Sequence, residues 1–101
     1  MFGRSPFADV IGRQLDLFVR DHRDVLEEVD ERLAVYNRAD RSDAEELYGD
    51  YLDAVETGTE ILADMRDRYA QALDDPDSYV RAFNKAVVKR LPEYALEIEN
   101  R

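Results

Sequence analysis

The chain contains no cysteine and no tryptophan, and only one histidine, two lysines, three prolines and four glycines in 101 residues. Each scarcity removes a class of chemistry. Without cysteine there is no disulfide, no thiolate zinc site and no thiol nucleophile, and the composition fits a reducing compartment. A single histidine, with no Glu-x-x-His or H-E-x-x-H spacing, excludes a di-iron bundle and a zinc hydrolase. There is no phosphate-binding glycine loop and no G-x-S-x-G, so no catalytic residue, cofactor or metal ligand is assigned, and the chain reads as a non-enzyme. The longest run of large apolar residues is Leu17–Val19, far short of the roughly 20 residues that span a bilayer. Arg4 and Asp9 interrupt the start, so no signal peptide is legible and a cytoplasmic location is expected.

Acidic residues are plentiful: 24 Asp and Glu against 14 Lys and Arg, for a net charge of −10. Nucleic acid and anionic membrane are themselves negative, so neither is an expected partner. A basic partner would be attracted.

The apolar residues recur every three or four positions. Phe7, Ile11, Leu15, Phe18, Val25, Leu26, Val29, Leu33 and Tyr36 mark a first helix over about 6–38, opened by Ser5 as cap and Pro6 in the first turn. A polar turn follows, in which Ser42 and Glu45 have capping-box spacing. The second helix, about 43–73, carries Leu47, Tyr51, Val55, Gly58, Ile61 or Leu62, Met65, Tyr69 and Leu73 on one face. Asp75 and Pro76 open a third helix over about 76–91 with Tyr79, Val80, Phe83, Val87 and Leu91 inward. Pro92 kinks or ends it, and Tyr94, Ala95 and Ile98 lie on two further turns, either continuous across a kink or, as preferred here, in a short separate helix over about 93–100. Nothing alternates with period two. The expected architecture is a single all-α domain over 1–101: a long antiparallel helical hairpin with a third helix and a short C-terminal helix packed on it.

A short turn centred near Asp40 pairs residues across the hairpin whose numbers sum to about 80. His22 then faces Gly58. The stretch Glu56–Glu60 places glycine between two threonines in mid-helix, three weak helix formers together, and a ring filling the gap would compensate. His22, Thr57, Gly58 and Thr59 are therefore a candidate polar packing site, with the threonine hydroxyls in reach of the imidazole.

The third helix should run parallel to the first and reach only to the level of His22. Beyond it the hairpin keeps a broad apolar face of Val25, Leu26, Val29, Leu33, Tyr36, Leu47, Tyr48, Tyr51 and Val55. Either the tail folds up over this face through Tyr94 and Ile98, or a second copy or another protein covers it; a two-fold dimer is the preferred expectation. Arg81, Lys85, Lys89 and Arg90 form a basic stripe, read as pairing with neighbouring acids or as a candidate anion-binding surface. These features point to a small acidic protein that works by protein–protein association as a scaffold or adaptor, as a homodimer. Two alternatives are an acidic inhibitor or antitoxin-like binder of a basic protein, and a small-ligand or pH sensor centred on His22.

Overall fold

The computed structural model describes residues 6–101, and among these every regular element is helical. Five α-helices follow in order: α1 Ala8–Asp21, α2 Arg23–Asn37, α3 Ala44–Ala70, α4 Pro76–Arg90 and α5 Ala95–Glu99, with a 3-10 turn, Pro92–Tyr94, leading into α5. The chain forms a helical bundle, as its periodicity predicts. Ser5 lies outside the described residues; α1 begins behind Phe7 with no side-chain cap, and Gly12 is accommodated inside it.

The predicted first helix is two helices. At His22 the backbone leaves helical geometry (φ −124°, ψ 38°), although its amide still donates to the Phe18 carbonyl at 2.9 Å and its carbonyl accepts from Val25 and Leu26. Neither proline nor glycine stands there. The break interrupts the polar stretch Asp21–Asp24, and it costs few hydrogen bonds because the carbonyl of His22 starts the ladder of α2.

Between α2 and α3 the expected Ser42–Glu45 capping box does not form. Asp43 is the cap residue, without a side-chain bond, and Glu45 and Glu46 sit in the first turn, where carboxylates favour the positive helix end. The Asp75–Pro76 start of α4 is as predicted. The Asp75 carboxylate accepts from the Ser78 amide at 3.2 Å, and bonds to Ser78 hold its carboxyl below the usual carboxylate range.

Phe7 packs edge-on against Tyr79 at the start of α4 (ring centroids 5.2 Å apart), and Arg90 at its end reaches Asp16 and the Gly12 carbonyl. So α4 runs in the same sense as α1. The core lies where α1, α4, the tail and the C-terminal half of α3 meet, around Leu15, Phe18, Leu62, Phe83, Val87 and Ile98, all buried. Each such side chain contributes roughly 1.5–3 kcal/mol. The molecule measures 51 × 24 × 21 Å, because the 27-residue α3 spans the bundle and continues into the hairpin with α2.

One core residue carries a charge. Arg66 on α3 is 2% exposed; its guanidinium donates to Asn84 Oδ1 on α4 (3.0 Å), to the Ile98 carbonyl in α5 (3.3 Å) and to the exposed carboxylate of Asp67 (2.8 Å). It thus ties three helices and supplies a donor to a carbonyl at the end of the shortest. Replacing Arg66 by alanine should lower stability by roughly 2–4 kcal/mol through lost packing and unmade bonds. Chemical denaturation gives the magnitude, and amide exchange should accelerate first in residues 95–99.

Two core tyrosines resist ionisation. Burial pushes the Tyr79 hydroxyl, which donates to Gln14 Oε1, up to about 12, and raises that of Tyr94 further still. Unfolded tyrosine ionises near pH 10, so above about pH 10 the native state retains protons that the unfolded chain has released. Stability from these groups is complete below pH 10 and falls as pH rises towards 12. Denaturation midpoints measured from about pH 9 to 11.5 should decline, with tyrosinate absorbance of the buried pair appearing only on unfolding.

Candidate functional site

The gap at Gly58 is real but Tyr94 fills it. A β-carbon placed on Gly58 would lie 2.5–2.6 Å from Cε1, Cζ and Oη of Tyr94, so the bare backbone of α3 is the seat of that ring. Tyr94 is fully buried and stands edge-on to Phe18, centroids 5.9 Å apart. His22 instead lies tilted against Phe18 at 5.6 Å and is half-exposed. The threonines do not serve it: Thr57 and Thr59 donate to the carbonyls of Asp53 and Val55 in their own helix, at 3.1 and 2.8 Å. The predicted packing site of His22, Thr57, Gly58 and Thr59 is therefore corrected to a tyrosine seat formed by α3, Phe18 and the tail. The break at His22 falls at the level where Tyr94 enters between the two arms.

The tail thereby covers part of the hairpin face. Val29 and Val55 are buried, Leu26 and Tyr51 pack against the core, and Val25, Tyr36 and Leu47 are half-buried. Among the nine candidate interface residues only Leu33 and Tyr48 are exposed, at 38% and 44%. Leu52, not predicted, joins them at 41%, one helical turn from Tyr48. Behind this edge the rings of Tyr36, Tyr48 and Tyr51 form a ladder with centroid spacings of 5.2 and 6.0 Å.

The opposite side of the hairpin is polar. A cleft of about 410 Å³ between α2 and α3 is lined by Asp24, Glu28, Asp50 and Asp53, with Val25 and Ala54 beneath. Its one cation, Arg32, bonds Glu28 at 2.7 Å and lies 3.8 Å from Asp50. Among the described residues no group of carboxylates or histidine is arranged to hold a metal ion.

The basic stripe divides. Arg90 is engaged with Asp16 and the Gly12 carbonyl, and Arg81 leans back on Ser78 within its own helix. Lys85 and Lys89 have no carboxylate within 4 Å among the described residues, and both edge a groove between α1 and α4. The four basic residues thus do not converge on a single anion site.

Arg66 and Asn84 escaped the sequence reading. Arg66 follows Met65 on the inner face of α3, and a charge next to an apolar position is ordinarily a solvated flank. The signal available was the short tail itself, whose last carbonyls needed donors.

The fold and surfaces define a small helical-bundle protein with a packed body, grooved between α1 and α4, and a projecting hairpin. Comparison with family models, curated proteins and solved structures finds no match to this chain. No helix among the described residues is long and apolar enough to cross a membrane.

The Gly58–Tyr94 contact makes a test. In an ordinary helix interior Gly→Ala gains about 1 kcal/mol. Here Gly58→Ala should lose roughly 1–3 kcal/mol, because Tyr94 is enclosed and cannot withdraw without uncovering the core. In the Tyr94→Leu background the same substitution should cost much less, a coupling that a double-mutant cycle in denaturant would report.

Proposed function

We propose that the protein works by association with other proteins, as a scaffold or adaptor, and that its projecting hairpin forms a two-fold homodimer. The observation that supports this is the exposure of Leu33, Tyr48 and Leu52 together on the half of the molecule that α4 and the tail leave uncovered. Two hairpins brought together across a two-fold axis complete a four-helix bundle, the arrangement that buries such an edge on both copies. Tyrosine suits the position, with a large apolar ring and a hydroxyl that stays hydrated at the rim.

The acidic cleft favours a second reading, binding to a basic protein, with Asp24, Glu28, Asp50 and Asp53 presented on one side of the hairpin. Salt separates the two. Copies carrying −10 each repel, so added salt should strengthen an apolar homodimer and weaken a complex with a basic partner.

Sedimentation velocity should show a dimer of the unmodified chain that persists or tightens in high salt. Leu33→Glu and Leu52→Glu, both at exposed positions, should shift it to monomer with thermal stability of the fold reduced by no more than about 1 kcal/mol. A monomer at every concentration would remove the homodimer.

A further inference from the structure

We propose that the groove between α1 and α4 is a docking site for an amphipathic helix of another protein, one whose apolar stripe is flanked by aspartate or glutamate. The groove, at the end of the molecule away from the hairpin tip, has a volume of about 910 Å³. Its floor reaches the core residues Ile11 and Leu15, and small residues line it on both helices, Gly12 on α1 and Ala82 and Ala86 on α4, together with the exposed Val88. Among the described residues a β-carbon on Gly12 would meet nothing within 4 Å, so none of them seats a side chain on this glycine. Small residues let a third helix approach closely.

Charge selects the occupant. Lys85 and Lys89 are the only lysines of a chain with net charge −10, and both edge this groove without a carboxylate partner among the described residues. Arg90, one position further, is spent on Asp16 and shows what a paired cation looks like here. Two uncommitted ammonium groups beside an apolar floor match a helix with acidic flanks.

Other occupants fit less well. The described residues include no strand, so there is no sheet edge to extend with a peptide strand. A small anion would need converging buried donors, and the lysines here are exposed rim groups. A second copy could offer Tyr48 and Leu52, but that contact joins opposite ends of the molecule. It would close only if two copies lay antiparallel, each tip in the other's groove, an assembly that the sedimentation of the protein alone reports.

The test uses the full chain and two fluorescent model peptides with one leucine–alanine stripe, flanked by glutamate in one and by lysine in the other. Anisotropy should show the glutamate peptide binding at least about tenfold tighter than the lysine peptide, and Lys85→Glu with Lys89→Glu should invert that order. Gly12→Leu puts a side chain into the open groove and improves helix propensity, so its circular dichroism should be unchanged while peptide affinity falls at least about tenfold. Equal binding of the two peptides, or undiminished binding to Gly12→Leu, would overturn the proposal. So would a Gly12→Leu variant that changes the sedimentation of the protein alone, since a second copy would then be the occupant.

Discussion

The structure turns on one contact: the ring of Tyr94 laid against the uncovered backbone of α3 at Gly58. Glycine flanked by threonines is the weakest helical stretch in α3, costing about 1 kcal/mol against alanine at the glycine alone. Burying a large core ring returns roughly 1.5–3 kcal/mol, against which the Tyr94 hydroxyl, buried with no hydrogen-bond partner among the described residues, costs about 1–3 kcal/mol. Both threonine hydroxyls meanwhile satisfy themselves on carbonyls of their own helix, so the weak stretch demands nothing polar from its surroundings. A β-carbon would exclude the ring. Without the ring, Phe18 would lose its edge-on neighbour and the 3-10 turn at Pro92–Tyr94 its anchor.

That seat also divides the molecule. The tail after Pro92 is held by Tyr94 in the seat, by the buried Ile98 side chain in the core and by the Arg66 guanidinium on the Ile98 carbonyl. Arg101 adds only a loose contact to Glu56 at 3.7 Å, and such exposed pairs contribute little. On the α4 side of the seat α1, α3, α4 and the tail share a continuous core, open along the groove between α1 and α4. On the other side α2 and the start of α3 cover mainly one another; with the tail they bury Val29 and Val55, while Leu33, Tyr48 and Leu52 remain in contact with solvent. The break at His22 lies on this boundary.

Much of the build was legible because it depends on local pattern. The three-to-four spacing marked the helical stretches but ran α1 and α2 together across His22, Asp75–Pro76 marked the start of α4, and the short turn after Asn37 implied the antiparallel hairpin that Arg32 and Asp50 now span. Gly58 was legible as a gap. Its occupant was not, because periodicity tells which face of a helix is inward but not which distant segment reaches it: Tyr94 lies 36 positions further along and arrives by a turn that only Pro92 announces. The pairing rule for two arms proposed the nearest ring, His22, and a third element intervened. Arg66 was hidden for the opposite reason. Its charge disguised an inner position, and the bonds that make its burial tolerable come from α4 and α5, which no local window contains. The Ser42–Glu45 spacing misled because the turn places Asp43, not Ser42, at the cap.

The surfaces that remain open follow a common logic. Apolar area supplies most of the driving force for association and discriminates poorly, whereas flanking charge discriminates well and adds little net affinity. On this chain the two apolar openings carry opposite borders: carboxylates are spread over the hairpin, and Lys85 and Lys89 stand at the α1–α4 groove. A molecule with net charge −10 repels most of the acidic surfaces it meets, so an acidic helix can settle on it only where the local sign reverses. Conversely, copies of the hairpin can meet only when apolar packing outweighs their mutual repulsion. If both proposed contacts form, the charge around each opening narrows the partners it can take, and neither should accept the other's ligand.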